Sequence, residues 1–193
     1  MTTHATSAIQ VASRVHGFSY AIRNIVAEAR KVEAAGTRVR YLNIGDPIPF
    51  GFKTPQNLVD AVERAMRDGV NGYTSSPGIE PAREAVADDF TARGLEIPAD
   101  RVLLTMGTSE GIELTLSALV DPGEDVLVPV PTYPLYTAVL AKLGANAVYY
   151  RTDPTNHWMP DLDHIKKLIG PNTRALVMIN PNNPTGAVYS DET

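Results

Sequence analysis

The chain has 193 residues, 44% hydrophobic and 20% charged, which is the make-up of a globular domain with a real core. Its 17 basic and 22 acidic side chains leave a net charge of −5, the wrong sign for a broad nucleic-acid-binding face. Cysteine is absent, which excludes disulfides, thiolate metal sites, iron–sulfur clusters and a cysteine nucleophile.

The first predicted element is a helix over 19–35. Ile22, Ile25, Val26, Ala29 and Val32 share one face, Ser19 can cap the start and Gly36 ends it. A short strand is expected over 39–44, followed by the loop Gly45-Asp46-Pro47-Ile48-Pro49. Thr54-Pro55 reads as a cap followed by proline at the first helical position, with Leu58, Val59, Val62 and Met66 continuing the helix to Gly69. A loop carrying Tyr73 leads to a helix over 81–93, closed by Gly94. Strand and helix then alternate. Strands are expected at 102–105, 125–130, 147–150 and 175–179, and helices at 112–120, 133–143 and 161–169, the last capped by Asp161. The strands are apolar runs rather than apolar–polar alternations, the pattern of a parallel sheet covered by helices on both faces. The first ten residues lack the apolar stretch of a secretion signal, and no run approaches the ~20 apolar residues of a membrane span. A cytoplasmic protein that binds neither membrane nor nucleic acid is expected.

Three loops carry candidate chemistry. In Leu104-Thr105-Met106-Gly107-Thr108-Ser109-Glu110-Gly111 a strand is expected to pass through a glycine turn into a helix start, whose N–H groups and dipole favour an anion such as phosphate. The competing reading is a capped turn and nothing more. Pro129-Val130-Pro131-Thr132-Tyr133-Pro134-Leu135-Tyr136 follows the next strand, where open α/β sheets bind ligands, and offers an aromatic face to a flat ring. The competing reading is an aromatic packed on the sheet. Asn180-Pro181-Asn182-Asn183-Pro184-Thr185-Gly186 holds more amide groups than a turn requires. A phosphate site, an aromatic plate and an amide donor together suit a phosphorylated aromatic cofactor.

This ordered set resembles the class I/II aminotransferases of fold type I, from about Tyr20 onward. The asparagine string carries most of the likeness. Leu-Asn-Ile-Gly-Asp-Pro at 42–47, Gly-Tyr-Thr-Ser-Ser-Pro-Gly at 72–78 and Asp-Pro-Gly-Glu-Asp-Val at 121–126 add to it. Phe50-Gly51-Phe52 and Ala187-Val188-Tyr189-Ser190 look most like the alanine (glutamate–pyruvate) branch. The resemblance implies a three-layer α/β/α large domain binding pyridoxal 5'-phosphate, its sheet incomplete because the chain stops early. Residues 1–47 would form an arm and the first small-domain segment, and 48–193 the N-terminal part of the cofactor-binding domain.

The same resemblance implies residue roles. Gly107, Thr108 and Ser109 should hold the phosphate, Tyr133 should stack on the pyridine ring, and Asn183 should bond its phenolic oxygen. Gly45, with Asn183, should meet the substrate, offering its N–H to the α-carboxylate. Tyr73 should reach the phosphate of a neighbouring subunit in a homodimer. The implied activity is ping-pong transfer of an amino group between an L-amino acid and a 2-oxo acid, as alanine with 2-oxoglutarate. Aspartate or aromatic amino acids are the alternative substrates. The family's catalytic lysine follows the asparagine motif and is not among these residues, so the 193-residue chain is expected to be inactive. An inert, non-catalytic chain is the reading from another class. Lys142, Lys166 and Lys167 read as surface lysines and Arg83 as a surface or structural arginine. His4, His16, His157 and His164 have no metal-ligand spacing.

Overall fold

The computed structural model describes residues 10, 12–13, 21–43 and 45–193. Ser19, His4 and His16 lie outside them. The chain divides into two compact units, one formed by Met1–Glu28 with Gly107–Thr193 and the other by Ala29–Met106.

Helix α1 spans Ala21–Ala34, and Gly36, at φ 92°, ends it in the left-handed region. Its expected apolar face is only partly covered: Val26 and Ala29 are half-buried, while Ile25 and Val32 are exposed. In the second unit, α2 spans Gln56–Arg67 and α3 spans Glu80–Ala92. Pro55 rather than Thr54 is the capping residue of α2, since its carbonyl accepts the N–H groups of Leu58 and Val59. The apolar stripe of α2 forms as expected but faces outward, with Leu58, Val59, Val62 and Met66 exposed. Residues 39–43 and 102–105 form no strand. Leu104 instead donates its N–H to the Pro77 carbonyl at 2.9 Å, a loop-to-loop bond rather than a ladder. Arg83 is structural: its guanidinium donates to the Ala99 carbonyl at 3.0 Å and ties α3 to the turn Ala99–Arg101.

The first unit is the sheet. Helix α4 (Gly107–Leu119) leads to β1 (Asp125–Val130), then α5 (Pro134–Leu143), β2 (Asn146–Asp153), a two-residue β3 (Met159–Pro160), α6 (Leu162–Leu168) and β4 (Thr173–Leu176). Strand order is β3-β2-β1-β4. The β2-β1-β4 part is parallel, as the apolar runs predicted, and β3 is a short antiparallel addition to the end of β2. Central β1 is buried from Val126 through Pro129. Val126 and Val128 pack with Ile112 and Leu116 of α4, with Val120 just after it, and with Val139 and Leu140 of α5. Burying a side chain such as Leu140 contributes about 1.5–3 kcal/mol, so this cluster fixes both helices on the sheet. Among the described residues, no helix is long and apolar enough to cross a membrane.

At α6 the expected cap is present, with the Asp161 carboxylate accepting the His164 N–H at 2.8 Å. The Arg151 guanidinium lies 2.9 Å from the same carboxylate. The His164 amide bond, opposed by some desolvation and aided by Arg151, holds the Asp161 carboxyl below its ordinary value. A depressed carboxylate stabilises the fold at neutral pH, and the contribution is lost as pH falls through the folded-state value. Asp161→Asn should therefore flatten the acid-side fall in melting temperature between about pH 5 and about pH 2. Thermal melts of both proteins across that range check it, and equal slopes would refute it.

Candidate functional site

The site is assembled by sheet topology. Helix α4 is 13 residues long, about 20 Å at 1.5 Å per residue, and β1 covers a similar distance with six. The turn 121–124 joins the end of α4 to the start of β1, and α4 packs along β1. The N-terminus of α4 therefore lies at the rim where β1 ends and α5 begins. β4 is parallel to β1 and its neighbour, so its exit loop leaves at the same rim. The topology thus brings together the turns at Gly107–Ser109, Tyr133 and Asn183. Crevices of this kind, beyond the carboxyl ends of parallel strands, are where such sheets bind ligands.

Gly107 is itself the first residue of α4, so the expected turn over 107–111 is helical and the amide-rich end sits five residues earlier than predicted. Its φ of 74° is a left-handed conformation that favours glycine. Thr108 and Ser109 follow, both exposed, with hydroxyls that make no hydrogen bond among the described residues. A helix N-terminus flanked by two uncommitted hydroxyls is suited to an anion.

Tyr133 precedes Pro134 as the capping residue of α5. It is half-buried and packs against the core cluster together with Leu135 and Tyr136. The ring is thus partly held by the core and partly accessible. Desolvation raises the Tyr136 phenol above its ordinary value. Beside Tyr133 stands a residue that the sequence did not single out: the Thr132 hydroxyl is buried and has no hydrogen-bond partner. An unmatched buried hydroxyl costs about 1–3 kcal/mol, so a polar ligand at this rim has a waiting partner.

The asparagine loop divides its labour. Asn180 accepts the Tyr189 N–H at 3.0 Å through its side chain. Asn182 is 4% exposed; its Nδ2 donates to the Tyr189 hydroxyl at 3.2 Å, and its Oδ1 accepts from the Thr185 N–H at 3.3 Å and the Thr185 hydroxyl at 3.1 Å. The Gly186 N–H closes the turn on the Asn182 carbonyl at 2.8 Å. Of the three asparagines, two thus have side chains engaged in holding the loop, and Asn182 is the buried one. Asn180 and Asn183 are both exposed, but only Asn183 has a side-chain amide that bonds to nothing among the described residues.

Gly45 and Tyr73 belong to the other unit, where each stands exposed in a loop. The lysines of the sheet unit are engaged elsewhere or face solvent. Lys142, near the end of α5, pairs with Glu113 of α4; Lys166 lies 3.7 Å from Asp163, and Lys167 is exposed. His157 is an exposed turn residue at φ 51°, and the His164 ring accepts the Arg151 N–H at 3.1 Å. No group of acidic or histidine side chains among the described residues can hold a metal.

A family model described as aminotransferase class I and II matches residues 38–193. The chain belongs to the class I and II aminotransferases. It is 41% identical over 188 residues to glutamate–pyruvate aminotransferase AlaA of Escherichia coli K12, covering 96% of this chain and 46% of that protein. It is 44% identical over 176 residues to alanine aminotransferase of Mycobacterium tuberculosis H37Rv, covering 90% and 41%. Among solved structures, alanine aminotransferase from Pyrococcus furiosus superposes with a TM-score of 0.90 at 40% identity, covering 95% of this chain and 47% of that one. A mutant aspartate aminotransferase of Thermus thermophilus gives 0.86 at 31% identity, covering 95% and 48%. The sheet unit is thus part of the large domain of a fold type I aminotransferase. The chain spans under half the length of these relatives.

Proposed function

We propose that this chain supplies the cofactor-gripping part of a pyridoxal-phosphate-dependent aminotransferase that exchanges the amino group of alanine with 2-oxoglutarate. The observation that carries the proposal is Asn183, the one asparagine of its loop with an uncommitted amide. It stands on a rim shared with the N-terminus of α4, where the Thr108 and Ser109 side chains are exposed, and with the half-buried ring of Tyr133. The residues fit the cofactor: exposed hydroxyls at a helix N-terminus suit its phosphate, and an exposed amide and a tyrosine on loops of one sheet rim suit a flat ring bearing a phenolic oxygen. The unmatched Thr132 hydroxyl suits a polar occupant.

In this reading Gly107, Thr108 and Ser109 bind the phosphate, and the α4 dipole favours its charge. Tyr133 orients the ring, while Asn183 donates to the phenolic oxygen and orients it. Gly45 offers its N–H to the substrate carboxylate, and Tyr73 reaches the phosphate of a second copy in a homodimer. Bound pyridoxal phosphate supplies an electron sink that makes the α-proton of an amino acid removable. Names of the relatives favour alanine as donor, and the aspartate aminotransferase likeness makes aspartate the substrate to compare.

The test uses protein expressed from the full reading frame that contains these residues. Alanine with 2-oxoglutarate should turn over in ping-pong fashion, giving parallel double-reciprocal lines, with kcat/KM above those for aspartate and phenylalanine. Faster turnover of aspartate or phenylalanine would overturn the alanine assignment, and failure to bind pyridoxal phosphate would overturn the whole reading. The 193-residue chain by itself should not transaminate, because the lysines of its sheet unit lie in ion pairs or face solvent.

A further inference from the structure

Pro129 occupies an unusual position. It lies in central β1, between β2 and β4, and is fully buried. Proline has no N–H and normally avoids central strands, because one rung of the ladder is lost. The missing rung can be identified here. Leu127 stands opposite Leu176, and the Val177 N–H donates to the Leu127 carbonyl at 2.8 Å. In a parallel ladder the next bond would run from the N–H of residue 129 to the Val177 carbonyl. Proline cannot make it, and β4 ends at Leu176, short of the apolar run that continues to Ile179.

The orphaned acceptor is nevertheless matched. Tyr150, opposite Pro129 in β2, donates its hydroxyl to the Val177 carbonyl at 2.9 Å. The side chain is 1% exposed. Burial first, then the neighbouring Tyr189, raises its phenol, which keeps the proton in place for donation. Val177 lies three residues before Asn180, where the asparagine loop begins.

We infer that the Tyr150 hydroxyl replaces the N–H that Pro129 lacks, and thereby fixes the exit of β4 from which the Asn183 loop springs. Tyr150 is then a positioning residue for Asn183: it acts on the cofactor site through the Val177 backbone. The second half of the inference rests on the proposed function, whereas the first does not.

A double-mutant cycle on the full-length protein tests both halves, using Tyr150→Phe, Pro129→Ala and the pair together. Two quantities are read: the melting temperature of the apoprotein and its affinity for pyridoxal phosphate in an absorbance titration. Tyr150→Phe alone should lower the melting temperature by about 4 °C and weaken cofactor binding about tenfold. With Pro129→Ala in the background, position 129 regains a donor for the Val177 carbonyl. The same tyrosine change should then cost less than half as much on both readouts. Asn183→Ala, whose defect lies at the ligand itself, should not be rescued by Pro129→Ala. Equal losses from Tyr150→Phe in both backgrounds, or no loss at all, would overturn the donor replacement. A rescued melt with unchanged cofactor affinity throughout would overturn the positioning role. A wild-type protein that binds no pyridoxal phosphate would contradict the proposed function, while the melting cycle would still decide the donor replacement.

Discussion

Asn182→Ala is expected to destabilise the protein by about 2–3 kcal/mol, whereas Asn183→Ala, one residue further on, should leave its melting unchanged and weaken cofactor binding instead. The difference follows from burial and bonding. Asn182 is 4% exposed and makes three side-chain hydrogen bonds, two to Thr185 and one to the Tyr189 hydroxyl. Truncation strands those partners in a site that water reaches poorly, which costs about 1–3 kcal/mol for each unmatched group where the loop cannot relax. For a chain of this size that is a fall of about 5–10 °C in the melting midpoint. Asn183 is exposed and holds nothing in place, so its loss should stay within about 0.5 kcal/mol. Its effect should appear in an absorbance titration with pyridoxal phosphate, as an affinity loss of about tenfold. Equal destabilisation by both changes would contradict the division of labour within the loop.

Gly78→Ala should be of similar severity, for a reason of packing. Gly78 has φ 108°, and a Cβ built there would lie 2.6 Å from Leu104 Cδ1, 2.8 Å from its Cγ and 2.9 Å from its Cβ. The last of these is anchored to the backbone, and that backbone is bonded at 2.9 Å to the Pro77 carbonyl. Leu104 therefore cannot swing aside without breaking the contact between the two loops. Overpacking adds about 1–3 kcal/mol to the left-handed penalty of about 1–2 kcal/mol, for a total of about 3 kcal/mol. Denaturant titration of Gly78→Ala measures it. An alanine tolerated without loss would mean that the two loops are not in close contact.

The alternation of apolar runs and helical stripes made the parallel sheet legible, because a strand covered on both faces has no polar side to show. Helix ends were also legible where side chains or glycine mark them, as at Asp161 and Gly144. Strand ends were not. The run 175–179 is uniformly apolar, yet β4 stops at Leu176 because a proline in the adjacent strand offers no N–H, and pairing of this kind crosses some fifty residues of sequence. Val102–Thr105 has strand composition but lies outside the sheet, bonded to a loop. At the candidate site, the string Asn180–Gly186 identified the loop but not the roles within it. Telling Asn182 from Asn183 required knowing which side chain faces Tyr189. Thr132 gave no sequence signal, since an unmatched hydroxyl is a property of its surroundings. Pro129 within an apolar strand did carry one, as a missing donor that some other group had to replace.

The two flanks of the sheet differ in what they offer a newcomer. On the β2 side, the Arg151 N–H is taken by the His164 ring and its carbonyl by the Asp161 N–H, while Thr152 and Asp153 face β3. Beyond β4 no strand is paired among the described residues. The β2 flank is thus largely covered by groups of its own chain, which occupy edge positions that could otherwise recruit another strand.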